Sequence, residues 1–354
     1  MNRPYLVNFS AIASSGKVSI RANITDSNHQ LKNRSSKTSA PIESLSLFHK
    51  HLYRVKIMGL NEENITILEK EYDTDNYGNL ELQLAHSIND QKICKILIYE
   101  TAYYPGVDIH LGSFLPLIIN EPKKIIISDF DKTLVGTKYS TPRELYHSLN
   151  KPVSYFPTVD KSLEIVHSYL DQGFQPFILS ASPHFYENAI RDWLYQNKIF
   201  ASNIYLKDYR DFISLFDGSL ATKDLKKHGF YKINQLVDIL MMIGIPDHLV
   251  LFGDGFETDD FIYLILKSLL VDKTDPWKLW KSIKNHRIFN LNSKQDSYFL
   301  TKFYRLSEMS KSHGSIKLEI FIRATDQNIE ELKNKKFTNK YIVDMASAVN
   351  YYVA

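Results

Sequence analysis

The chain has 354 residues, of which 44% are hydrophobic and 13% aromatic, and its formal net charge is +3. That length leaves room for two domains, each able to bury a core, and the composition leaves little place for disorder. Lysines and arginines are scattered rather than striped, which argues against nucleic acid as a partner, and the single cysteine, Cys94, excludes an intramolecular disulfide framework and suits a reducing compartment.

The segment from Met1 to Ile24 lacks the apolar stretch and small-residue cleavage site of a secretory signal. No run approaches the ~20 apolar residues of a transmembrane helix. The expectation is a cytoplasmic protein whose membrane contact, if it has any, is peripheral. Asn-x-Ser/Thr triplets at Asn8, Asn23, Asn33 and Asn64 are then chance matches.

From Tyr5 to Ile119 the apolar pattern has period two. Val18, Ile20, Ala22 and Ile24 alternate with polar residues, as do Leu80, Leu82 and Leu84. Further strands are predicted over 6–13, 52–58, 65–72, 93–99 and 107–111, with a turn at Asp75-Asn76-Tyr77-Gly78-Asn79. Short strands without a convincing helix predict a β-sandwich-like domain over 1–119, interrupted by a polar loop over 27–44. Pro116 and Asn120-Glu121-Pro122 mark the junction to a second domain over 120–354.

After Lys123 strands alternate with helices. Strands are predicted over 125–128, 176–179, 204–206 and 249–252. Helical faces follow at Val159, Leu163, Val166 and Leu170, at Ile190, Trp193 and Leu194, at Ile233, Leu236, Val237 and Leu240, and over 261–270. Gly173 and Gly244 end two of these helices. The alternation predicts an α/β fold with a parallel sheet covered on both faces. In the extension over 271–354, Asp275-Pro276 starts a helix, 316–322 alternates like a strand, and the tail from Asn328 is mixed.

Four stations in the core over 123–270 fall at strand ends or before a helix: Asp129 with Asp131, Ser180, Lys232, and Asp254 with Asp259. Together these residue types suit phosphoryl transfer. One carboxylate attacks phosphorus through an aspartyl-phosphate, and the other, two residues on, exchanges protons with the leaving oxygen and the attacking water. The repulsion between phosphate and carboxylates calls for Mg²⁺, a hard cation served by two carboxylates and a carbonyl. Asp129, Asp254 and Asp131, through its carbonyl, are the expected ligands. Ser180, Lys232 and Thr133 would bind the phosphate, and Asp259 would orient the metal waters or the lysine.

This order of stations resembles the haloacid dehalogenase-like phosphohydrolases: Asp129-Phe130-Asp131-Lys132-Thr133, then Ser180, Lys232, and Gly253-Asp254 through Asp259. Within that superfamily, Ser128 to Thr133, Leu179-Ser180-Ala181-Ser182-Pro183 and Gly253-Asp254-Gly255-Phe256-Glu257-Thr258-Asp259 with Tyr263 look like the catalytic domain of the actin-patch phosphatidate phosphatase family and its bacterial homologues. Pro105 to Gly112 and the turn at Asp75 resemble the β-rich region before that domain. Phe130, Lys132, Ala181 and Gly255-Phe256 depart from the family's residues, and none of them removes a catalytic group. The resemblance implies a three-layer Rossmann-like domain and a Mg²⁺-dependent phosphatase. It further implies a phosphorylated lipid or small phosphoester as substrate, with phosphatidate, converted to diacylglycerol in lipid metabolism, in the lead.

Each of these residues also has a plainer reading. Asp-x-Asp caps turns, Ser182 lies beside Ser180, and Lys226 and Lys227 compete with Lys232. Asp259 and Asp260 favour a helix N-terminus, and Trp277, Trp280 and Phe289 suit a core or a domain interface. A soluble phosphoester is an alternative substrate. A non-catalytic protein or membrane binder that keeps the fold as scaffold is the alternative in kind.

Overall fold

The computed structural model describes residues 3–25, 51–137, 151–208, 228–289, 291, 293–335, 339, 341–342 and 348–354. The polar loop over 27–44, Asn33, Lys226 and Lys227 lie outside the described residues.

The first half is antiparallel. Strands β1 (Tyr5–Ser14), β2 (Lys17–Thr25) and β5 (Asn79–Ala85), with β10 (Leu117–Ile118) added in parallel to β1, form one four-stranded sheet. Strands β3 (Arg54–Leu60), β4 (Thr66–Asp73), β8 (Lys95–Tyr104) and β9 (Val107–Phe114) form another, and β6 (Ser87–Ile88) pairs with β7 (Gln91–Lys92). Alternation puts Val18, Ile20, Ala22, Ile24, Leu80 and Leu84 of the first sheet in one core with Val55, Ile57, Ile96 and Ile98 of the second. The predicted turn at Asp75 is present, with Asp75 Oδ1 accepting the N–H groups of Tyr77 and Asn79, each at 2.8 Å. Gly78 takes φ +72 there, and a Cβ at this position would overlap the Ile24 carbonyl oxygen.

The second half is built on a six-stranded, wholly parallel sheet of β11 (Lys124–Ser128), β12 (Gln175–Pro183), β13 (Asn203–Lys207), β14 (His248–Asp254), β15 (Lys317–Ala324) and β16 (Asn350–Val353). Its spatial order is β13-β12-β11-β14-β15-β16, so the winding reverses between β11 and β14. The helices are α1 (Asp160–Leu170), α2 (Glu187–Gln196), α3 (His228–Ile243), α4 (Asp259–Leu270), α5 (Pro276–Ile283), α6 (Ser293–His313) and α7 (Ile329–Asn334).

Both faces of this sheet are covered. Ile125, Ile127, Phe177, Leu179, Leu249 and Leu251 pack with α3, α4, α5 and α6, while Ile126, Ile178, Ile204, Leu206, Val250 and Phe252 pack with α1 and α2. The isoleucine run at 125–127 is therefore apolar without alternation because each face meets a helix layer. Ile12 of β1 joins the first of these cores, and the Ser14 hydroxyl donates to the Ile243 carbonyl at the end of α3 at 2.6 Å. A mixed α/β architecture with sandwich-like antiparallel sheets is what the sequence pattern predicts. Among the described residues, no helix is long and apolar enough to cross a membrane.

Candidate functional site: a buried carboxylate and lysine centre

The winding reverses between β11 and β14, and in open α/β sheets a crevice opens at the carboxyl ends of strands at such a point. Asp129 follows β11 and Asp254 ends β14. The Asp129 N–H donates to the Phe252 carbonyl at 2.7 Å, which locks the two strand ends together. Phe130 turns inward and meets Trp193 edge to face, with ring centroids 5.2 Å apart, so Asp129 and Asp131 emerge from a fixed turn. Asp131, Thr133 and Val135 then close that turn over the end of β11.

Asp129, Asp254 and Asp259 are buried, and one carboxylate oxygen from each lies within 4.8 Å of the others. Lys232, 2% exposed, enters from the first turns of α3. Its Nζ lies 2.6 Å from Asp259 Oδ1, 3.4 Å from Asp129 Oδ2 and 3.5 Å from Glu257 Oε2. Thr133 donates to Asp129 Oδ2 at 3.1 Å. Asp254 Oδ1 accepts the N–H groups of Phe256 at 2.6 Å and Glu257 at 2.9 Å, and among the described residues its buried Oδ2 has no hydrogen-bond partner. Asp259 reaches back to the Asp254 N–H because position 253 is glycine: a Cβ there would stand 2.5 Å from Asp259 Oδ2.

Asp131 sits apart from this cluster in a cradle of hydroxyls. Ser180 donates to its Oδ2 at 2.7 Å, Ser182 donates to the same oxygen, and Thr137 donates to Oδ1 at 3.0 Å. The Ser182 N–H in turn donates to Ser180 Oγ at 3.0 Å. Of the expected residues, then, Asp129, Thr133, Lys232, Asp254 and Asp259 converge, whereas Ser180 turns to Asp131 and the Asp131 carboxylate lies outside the three-carboxylate group. Sequence reasoning passed over Glu257, Thr137 and the part played by Ser182. The signal for Ser182 was its position two residues beyond Ser180, on the same side of an extended chain.

Burial pushes the Asp254 carboxyl up to about 7, with Asp259 and Glu257 adding to the rise. Burial also holds Asp129 well above the ordinary carboxylate range; Lys232 opposes the rise, and Asp259, Asp254 and Glu257 reinforce it. Asp131 is raised by burial against the pull of Ser182, Ser180 and Thr137. Burial works to lower Lys232, but Asp129, Asp259, Glu257 and Asp254 outweigh it and keep the ammonium charged. Two lysines, Lys232 and Lys132, thus face four carboxylates, Asp129, Asp254, Asp259 and Glu257, and the group carries excess negative charge whenever all four are ionised.

A cavity of about 740 Å³ lies to one side, between β13, the start of α3 and the antiparallel sheet, lined by residues including Arg21, His184, Tyr205, Lys207 and Tyr231. None of the clustered carboxylates lines it, so it is a neighbour of the centre and not part of it.

No protein family and no curated protein matches the chain. Among solved structures, it is similar to the β-glucuronidase of Bifidobacterium dentium complexed with coumarin-3-O-glucuronide, at 8% identity and a TM-score of 0.25, over 92% of this chain and 45% of that one. It is also similar to a Bacteroides uniformis β-glucuronidase, at 9% identity and a TM-score of 0.24 over 94% and 34%, and to a putative β-galactosidase from Bacteroides fragilis, at 8% identity and a TM-score of 0.21 over 90% and 46%. The chain spans less than half the length of these structures. At such scores neither a fold nor an activity passes from these enzymes to this chain. The expectation drawn from the sequence motifs is corrected: no family match supports a haloacid dehalogenase-like phosphatase, and the similar structures named above are glycoside hydrolases. Membership of that superfamily, kinship with the actin-patch phosphatidate phosphatases, and the phosphatase activity and lipid-metabolic role that followed from them are withdrawn. Motif order across four short stations constrains only the side chains at those stations, and the intervening chain carries no matching family signal.

Proposed function

We propose that the carboxyl ends of β11 and β14 form a Mg²⁺ centre that binds a phosphate-bearing ligand, the phosphate of either a small phosphoester or a phosphorylated lipid headgroup. The observation that carries this reading is Asp254 Oδ2, a buried carboxylate oxygen without a partner among the described residues, set in a group of three carboxylates whose oxygens lie within 4.8 Å. An unpaired buried charge is costly, and a divalent cation offsets that cost where hydrophobic packing cannot. All the donors are hard oxygens, as Mg²⁺ requires.

Asp129 and Asp254 would hold the cation, with Asp131 contributing through its carbonyl, and the ion would supply charge neutralisation for the bound phosphate. Lys232 would face the same phosphate from α3, with Thr133 beside it. Asp259 fixes Lys232. Ser180 and Ser182 fix Asp131 in the turn between Asp129 and Thr133. The reading treats 120–354 as the doubly wound unit that carries the centre and 1–119 as a separate β unit.

Calorimetric titration of Mg²⁺ into the chain at pH 8, alone and followed by inorganic phosphate, tests the reading. One cation per chain and phosphate binding that requires it are expected, with both lost in Asp254→Asn and acetate failing to replace phosphate. Absence of cation binding, or phosphate binding indifferent to Mg²⁺ and to Asp254→Asn, would overturn it.

A further inference from the structure

We propose that Arg323 is the positioning residue of this centre, joining the two loops that carry the cation ligands; the inference rests on the Mg²⁺ reading above. Arg323 stands opposite Asp254 in the ladder between β14 and β15. Its carbonyl accepts the Gly255 N–H at 2.9 Å, fixing the start of the turn in which Phe256 and Glu257 present their N–H groups to Asp254. Its side chain reaches the other way, and Nη1 donates to the carbonyl of Lys132 in the loop after β11. The guanidinium lies 5.9 Å from the centroid of the Phe256 ring. One residue thereby bonds to both loops.

The loop it reaches needs such a tie. Lys132 has φ +60, a left-handed conformation that a residue with a Cβ disfavours. Its N–H donates to the Val135 carbonyl at 2.8 Å, leaving its own carbonyl to be held from outside the turn. The peptide at Lys132 lies between Asp131 and Thr133, so its orientation decides whether Asp131 meets its serines and Thr133 meets Asp129. The Lys132 to Glu257 ion pair, at 3.3 Å, spans the same two loops, but its side chains are 25% and 28% exposed, so water partly screens it. The arginine side chain presents a rigid planar fork, which suits Arg323 to hold a carbonyl at a fixed angle. By bonding a carbonyl and not a carboxylate, it orders the site without competing with the cation for a ligand.

The test compares the full chain with Arg323→Met, Arg323→Gln and Arg323→Lys, using Asp254→Asn as reference. The readouts are Mg²⁺ affinity by calorimetry and the electron paramagnetic resonance line shape of bound Mn²⁺, with thermal unfolding followed alongside. Loss of a group that orients metal ligands costs roughly 10–100-fold in affinity. Arg323→Met and Arg323→Gln are therefore expected to weaken Mg²⁺ binding at least about tenfold and to alter the Mn²⁺ line shape, and Arg323→Lys to recover part of both. If Arg323→Met fails to fold, Arg323→Gln is decisive. Parent-like affinity and line shape in Arg323→Gln, with Asp254→Asn still abolishing binding, would overturn the role of Arg323 and leave the centre standing. Parent-like binding in Asp254→Asn would instead remove the centre, and the inference with it.

Discussion

Replacing Asp254 by Asn removes a charge that the folded chain tolerates poorly without a cation, so the variant should be more stable than the parent when divalent ions are chelated. The folded-state carboxyl titrates at about 7, against an ordinary 3.8, first because it is buried and then because Asp259 and Glu257 face it. A raised carboxyl pKa means that the folded chain keeps a proton the unfolded chain releases. The contribution to stability is complete below the unfolded value of 3.8 and is lost as pH rises towards 7. A gap of about three pH units at ~1.36 kcal/mol each gives a loss of ~4 kcal/mol by pH 8. Asn retains the acceptor that meets the Phe256 and Glu257 N–H groups, so most of that loss should be recovered. Urea unfolding in EDTA at pH 4.5 and pH 8 measures it. Near-equal stabilities at the lower pH and an advantage of ~2–4 kcal/mol for the variant at the higher are expected. With Mg²⁺ in place of EDTA at pH 8, the parent alone should gain stability. A variant less stable than the parent at both pH values would refute the reasoning.

Lys232→Met leaves Asp129 and Asp259 buried without the ammonium now 3.4 and 2.6 Å away, and should cost ~3–5 kcal/mol at pH 8 but less at pH 5, where the carboxyls take up protons; urea unfolding at the two pH values would contradict this if the cost did not change. Mg²⁺ must displace protons from the raised carboxyls of Asp129 and Asp254, so calorimetry should show affinity rising about tenfold or more between pH 6 and pH 8, and a flat profile would count against both as ligands. Gly78→Ala meets both φ +72 and the Ile24 carbonyl oxygen and should cost ~2 kcal/mol or more, whereas Gly16→Ala, at φ +73 with nothing within 4 Å, should cost only ~1 kcal/mol in the same unfolding assay.

Period-two alternation made the sandwich-like strands legible, since each has one face in a shared core, and the apolar runs ending in Asp129 and Asp254 marked the buried parallel strands. Strands β10 and β16 escaped because two or four residues cannot establish a period. Helix α6 is the larger omission. Its 21 residues are mostly polar, yet Phe299, Phe303 and Leu306 recur at helical spacing and are fully buried against α5 and its neighbours. In the site, sequence order brought out Asp129 and Asp254, because strand ends converge in any such sheet, and Lys232 and Asp259, because both lie in the first turns of helices packed beside those ends. It could not show that Ser180 and Ser182 serve Asp131, since which neighbour a hydroxyl meets depends on packing between strands far apart in sequence. Nor could it show Arg323, whose partner Lys132 lies 191 residues away. Family membership was least legible of all: short motifs report local chemistry, and no family match extends them to the rest of the chain.

The central claim is that Asp129 and Asp254 share a divalent cation, and crystals soaked in Mn²⁺ and measured for anomalous scattering test it most directly. The account predicts a single strong peak between the two strand ends, within about 2.0–2.3 Å of a carboxylate oxygen of Asp129 and of Asp254 Oδ2, and no peak in Asp254→Asn crystals. A difference map without that peak, or with the cation bound elsewhere while Asp254 Oδ2 stays uncoordinated, would contradict it.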